Sequence, residues 1–335
     1  MALVYALMVA IQMWIIHSQA APAVVAPERM NGAELEVEKD AGSPGHPLLE
    51  KSAVSIHLLA EGFDGVGGIR KDAEKGRLYV SDTGGRAIYM LDASNSLTEF
   101  VSGSAGAVDS RGKELIHVLS PGGLEVDSSG RVIVCDQGAR SVRRRESRYR
   151  WKDIAISFQG ESLGGPVDIC MAGDGSIYFT DSPGMDSDSR AIPGLYRRAR
   201  NGRISRLHDG LTKPMHLALS ESGDALYVTN HDEAAPAVFK FPILDSGRLG
   251  DPVGWPEASG VESQWQGAPL AIAALRDSTI AVAHDNSVSL FTEDGRRLGT
   301  LRFPEKITSL EFSPDENALF AGGRTSLYRV MPSGS

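Results

Sequence analysis

One short unit recurs six times along the chain, and it restricts the fold more than any other feature. Its end reads GRLYVSD at Asp82, GRVIVCD at Asp136, GSIYFTD at Asp181, ALYVTN at Asn230, TIAVAHD at Asp285 and ALFAGG at Gly323. Ahead of these ends stand an apolar run and a turn: GGIRKDAEKG, GGLEVDSSG, VDICMAGDG, HLALSESG, AIAALRDS and SLEFSPDE. Apolar runs rich in Val, Ile, Tyr and Phe, broken by Asp-Gly or Ser-Gly steps, are strands joined by tight hairpins. Successive ends lie roughly 40 to 55 residues apart, the period of a four-stranded propeller blade. A β-sandwich has no reason to repeat at that spacing. The pattern predicts an all-β chain forming a six-bladed β-propeller over residues 51–335. SAVSIHLLA at 52–60 is a strand without a repeat of its own. Paired with the final TSLYRVM, this N-terminal strand closes the ring and removes its open edges.

The N-terminal 50 residues differ in character. ALVYALMVAIQMWII at 2–16 is uncharged and apolar, and His17-Ser18-Gln19-Ala20 follows it with a small-x-small step. That is the layout of a signal peptide over 1–20, short for a membrane span; an uncleaved anchor is the other reading. The expected location is secreted or extracytoplasmic, with no membrane span beyond the signal. Residues 21–50 mix Ala, Pro, Gly and charge without periodicity, which reads as a flexible linker. Net charge is −9, which argues against wholesale nucleic-acid binding. Arg140, Arg143, Arg144, Arg145, Arg148 and Arg150 crowd one segment, read as a solvated outer hairpin in preference to an anion-docking patch. Cys135 and Cys170 fall in separate strand-like runs, as two buried thiols would; a disulfide is the alternative.

Four segments carry a family resemblance: SPGGLEVDSSGRVIVCDQGARSV, PVDICMAGDGSIYFTD, KPMHLALSESGDALYVTNHD and FTEDGRRLGTLRFPEKITSLEF. From about Glu61 to Val330 the chain resembles the gluconolactonase, senescence-marker-protein (regucalcin) and luciferin-regenerating-enzyme family. The resemblance implies a hydrolase that opens a lactone or related ester with water. It also implies one divalent cation, calcium or zinc, at the top of the central channel, where inner strands begin. Carried over by position, most of that family's ligands are replaced. The first-blade Glu falls on Val66-Gly67-Gly68, with Glu61-Gly62, five residues earlier, as the alternative source of that carboxylate. The Asn positions of the next three blades fall on Gly122, Val167 and Met215, and a later Pro-Asp-Gly step reads Pro269-Leu270-Ala271. A hard cation requires several oxygen ligands, and Gly, Val and Met bring no side-chain oxygen. Asn230 alone stands where the family places Asp or Asn.

The remaining polar candidates cluster near those positions. Asn230, His216 and Asp168 are the candidate catalytic residues, and Asn230 with Asp232 the candidate metal ligands. Asp168 and His216 each follow a lost ligand position. A bulge in both strands would turn them into the channel as an acid–base pair; regular alternation would send them between the blades. Asp82, Asp136 and Asp181 read as turn-forming acceptors. Asp186 and Asp188 read as a plain loop, with surface calcium as the alternative. Two functions stay open: a lactone hydrolase with an altered metal site, or a catalytically degenerate propeller that binds a ligand or a partner protein.

Overall fold

A computed structural model describes residues 24–25, 36–40, 46–50, 54–102, 118–148, 150–182, 193–232, 234, 236–256, 267–275, 277–315 and 317–332. The expected signal peptide, Asp186 and Asp188 lie outside these residues. Six antiparallel sheets of four or five strands follow one another along the chain. Each inner strand packs against the next and the sixth packs against the first, so the sheets form a ring. This is a six-bladed β-propeller.

The inner strands are Val66–Asp72, Pro121–Val126, Pro166–Met171, Pro214–Leu219, Pro269–Ala274 and Ile307–Ser313. Each pairs with a second strand: Arg77–Asp82, Val132–Asp136, Ile177–Asp181, Ala225–Asn230, Thr279–His284 and Ala318–Gly323. The recurrent units seen in the sequence are these second strands. One correction of a single residue arises in blade 5, where Pro269 pairs with His284 and not Asp285. Asp285 begins the following turn, at φ 51°.

Both faces of a blade are covered by neighbouring blades, so the strands are apolar throughout instead of alternating with polar residues. Tyr178 packs with Leu217 and Leu226 of blade 4, while the adjacent Phe179 packs with Ile133 and Cys135 of blade 2. The fourth residue of every inner strand (Ile69, Leu124, Ile169, Leu217, Ile272, Leu310) is buried in the same way.

Val54–Glu61 pairs antiparallel with Ser326–Pro332 and supplies the outer strand of blade 6, which closes the ring as expected. The reading of 21–50 as a linker does not hold for its described parts. Glu36–Lys39 adds a fifth strand to blade 5 beside Arg297–Arg302, and Leu48 and Leu49 are buried against the seam between blades 5 and 6. One short edge strand and two leucines carry no periodicity, so hydrophobic patterning does not reveal them. Cys135 and Cys170 are both free thiols. The arginine-rich segment forms the third strand of blade 2, Ser141–Ser147, and enters its outer strand, Arg150–Ala155. There Arg144 pairs with Glu146 at 2.7 Å, and Arg143 with Asp136 at 3.1 Å and Asp153 at 3.1 Å.

Candidate functional site in the central channel

Every inner strand begins with a register shift. In blade 3, Pro166 opposes Asp181 and Ile169 opposes Phe179, so Val167 and Asp168 together face the single residue Thr180. Blade 4 repeats this with Met215 and His216 opposite Thr229. A bulge re-aims the side chains around it. The bulged amides do not go unpaired: Asp168 N donates to Thr180 Oγ1 at 3.0 Å, and His216 N donates to Thr229 Oγ1 at 2.9 Å. The threonine of YFTD and of YVTN therefore fixes the residue that enters the channel. The Thr180 hydroxyl also donates to Met215 O at 2.5 Å, locking blade 3 to blade 4.

These bulges bring Asp168 and His216 together. Asp168 Oδ2 lies 3.3 Å from His216 Nδ1 and accepts the Leu217 amide at 3.0 Å. Neither side chain is more than 15% exposed. The contact engages Nδ1 and directs the chemistry of the imidazole to Nε2. On the other side, Gly123 has no room for a side chain, since a Cβ there would meet Asp168 Oδ1 at 2.0 Å. The Gly-Gly steps of blades 1 and 2 are thus needed for close approach of the inner strands.

Asp168 and His216 border a cavity of about 200 Å³ in the channel, together with Arg70, Glu125, Cys170 and Glu311. The last four are the fifth residues of their inner strands, one layer further along than the Asp–His pair. Arg70 Nε lies 2.8 Å from Glu125 Oε1, and its Nη1 lies 3.3 Å from Glu311 Oε1. Glu125 is 1% exposed and also accepts the amides of Val126 and Met171. Burial would lower the Arg70 basicity, but the Glu125 and Glu311 carboxylates outweigh it and hold the guanidinium above its usual value. Burial raises the Glu125 carboxyl, against the pull of Arg70. It pushes Glu311 up to about 7, again only partly offset by Arg70. Burial also raises the Cys170 thiol well above the ordinary range, so Cys170 is a poor nucleophile. Arg70, Glu125 and Glu311 were missed as site residues, although counting five from each strand start finds them in GGIRKD, GGLEVD and SLEFSP.

Asn230 is placed elsewhere. Its Oδ1 accepts the Lys213 amide at 2.9 Å and its Nδ2 donates to Thr212 Oγ1 at 3.4 Å. Asp82 holds the Asp64 amide, Asp136 those of Leu119 and Ser120, and Asp181 those of Gly164 and Gly165. Asn230 is the blade 4 copy of this clasp and does not border the cavity. Asp232 accepts from Thr212 Oγ1 and the Ala234 amide. The proposed Asn230–Asp232 metal pair is therefore committed to a turn.

The positions onto which the resemblance carries the family's ligands offer a hard metal ion little to bind. A Cβ on Gly122 would lie 2.4 Å from Val167 O, so no ligand side chain has space there, and Val167 and Met215 contribute no side-chain oxygen. Among the described residues no three His, Cys, Asp or Glu converge as a metal site.

Comparison with known proteins follows the same architecture. Residues 66–322 match the family model described as SMP-30/Gluconolactonase/LRE-like region. A curated gluconolactonase of Zymomonas mobilis is 29% identical over 133 residues, a match that spans 37% of this chain and 37% of that protein. The structure of a Xanthomonas campestris gluconolactonase aligns with a TM-score of 0.75 at 21% identity, covering 94% of this chain and 98% of that one. A calcium-binding regucalcin from Agrobacterium tumefaciens aligns at 0.64 and 15% identity, over 82% and 95%. Identities this low support the shared fold alone.

Proposed function

The chain belongs to the SMP-30/gluconolactonase/LRE-like family, and from that premise we propose that it is a hydrolase of a small lactone or related ester, working through Asp168 and His216. The observation that carries this reading is the 3.3 Å contact of two side chains from adjacent blades, both bordering one polar cavity. A cavity of about 200 Å³ lies below the ~300–1,000 Å³ of drug-sized pockets and suits a single small ring.

In this mechanism Asp168 orients the imidazole through Nδ1 and His216 acts as general base through Nε2. His216 removes a proton from water as the water oxygen bonds to the ring carbonyl carbon. The tetrahedral oxyanion forms beside the imidazolium that His216 has become and is stabilised by its charge. Collapse breaks the bond between the carbonyl carbon and the ring oxygen, and His216 returns its proton to that oxygen. The product is a hydroxy acid, with one water consumed and no other reactant. The replaced cation positions at Gly122, Val167 and Met215 support the second reading, a propeller that binds such a ring without turning it over.

Hydrolysis of γ- and δ-lactones by the purified protein separates the two. His216→Ala and Asp168→Asn should each lower kcat/KM by about 100-fold, the scale of a positioned acid–base group, with folding checked by melting. A wild type inert on all such lactones would sink the hydrolase reading in favour of the binding module.

A further inference from the structure

We infer that the Arg70–Glu125–Glu311 layer makes the channel a charge filter, which admits neutral or cationic small rings and rejects anionic ones. The inference concerns the ligand class of the cavity just described. Where it concerns the product acid it rests on the proposed hydrolysis.

The ionisable side chains bordering the cavity are Arg70, Glu125, Asp168, Glu311, His216 and Cys170. One guanidinium thus faces three carboxylates. Arg70 is engaged by Glu125 at 2.8 Å, and the Glu125 oxygens take two backbone amides besides. That pair cancels itself. Glu311 holds the Arg70 guanidinium and the Lys71 amide only at 3.3 Å each. Asp168 is shared between the Leu217 amide and His216. The blade 5 side of the cavity is Ile272, Ala273 and Ala274, with no cation to receive an anion. With Arg70 and all three carboxylates ionised and His216 neutral, the cavity carries a formal charge of −2, in surroundings where charge is poorly screened. An anion entering would meet two uncompensated carboxylates, whereas an ammonium group or a hydroxyl would satisfy them. Burial contributes most to the raised proton affinity of Glu311, and Glu125 and Asp168 add to it against the pull of Arg70. Ring opening turns a neutral lactone into a carboxylate, so the same layer would speed departure of the product.

Three non-hydrolysable six-membered lactams test the filter by binding calorimetry: 2-piperidone, 3-amino-2-piperidone and 6-oxopiperidine-2-carboxylate. At pH 8 the carboxylate should bind at least ten times more weakly than the neutral ring, and the amine at least as tightly as it. Glu311→Gln, which keeps the shape and removes one charge, should narrow the gap between neutral ring and carboxylate by threefold or more. In the unmutated protein that same gap should shrink at pH 5.5, where Glu311 takes up a proton in the field of Asp168, Glu125 and Arg70. Binding of the carboxylate as tight as the neutral ring, no binding of any lactam, or a gap unmoved by both changes would overturn the filter. Charge-sorted lactams without lactone turnover would leave the filter standing and remove the hydrolase; turnover without sorting would do the reverse.

Discussion

At the scale of single residues, Asp181 and Asn230 hold the same turn in neighbouring blades with different chemistry. Asp181 takes two amides and its carboxyl is raised to about 6 by burial, against the pull of Gly164, Gly165 and Arg140. Asn230 takes one amide and has no charge to bury. Asn230→Ala should therefore cost about 1 kcal/mol of stability, the worth of one intramolecular hydrogen bond, and leave lactone kcat/KM within about twofold. A large loss of activity at unchanged melting temperature would return Asn230 to the chemistry. Glu311 gives a pH signature. Its folded-state pKa of about 7 stands above the ordinary 4.5. The stability it allows is fully present below about pH 4.5 and is lost as pH rises toward 7, because the unfolded chain gives up that proton first. Glu311→Gln should flatten the fall in Tm between pH 5 and pH 8; parallel curves for the two proteins would show that Glu311 titrates normally.

At the scale of elements, the described parts of 21–50 belong to the fold. Removing residues 1–50 takes away the fifth strand of blade 5 and two leucines exposed by only 3% and 2%. Full burial of a leucine contributes about 1.5–3 kcal/mol, so this truncation should lose about 3–6 kcal/mol in urea unfolding. Removal through Glu61 opens blade 6 and should prevent folding. If the shorter truncation unfolds like the full chain, the docked strand and Leu48–Leu49 contribute nothing. The blades themselves were legible in the sequence because each repeats a strand end of one type, with Tyr79, Tyr178 and Tyr227 at matching places. The seam was legible because 52–60 lacked a repeat. The direction of Asp168 and His216 was not, since a bulge of one residue decides between channel and core, and no hydrophobic pattern registers it. The second-strand threonines that hold the bulges, Thr180 and Thr229, are visible in the text of the chain, but their role appears only once the bulged amides have coordinates. Asn230 misled for the opposite reason: it matches a motif, and its carbonyl is already occupied.

At the scale of the whole molecule, the ring sets its charged layer against an apolar wall. Blades 1, 2 and 6 supply Arg70, Glu125 and Glu311, blades 3 and 4 supply the Asp–His pair, and blade 5 supplies alanines. No blade lines this cavity alone, so the cavity exists only when the circle is complete. Completion depends on the seam, where Ser55 meets Met331 across 276 positions of sequence. Synthesis at about 5–20 residues per second takes about 14–55 s to cover that distance. Through that interval Val54–Glu61 has been made and its partner strand has not, while the four strands of each earlier blade emerge close together. A chain stalled before Ser326 already contains every charged residue of the channel, from Arg70 to Glu311, yet lacks the strand that pairs with Val54–Glu61 and completes the last blade.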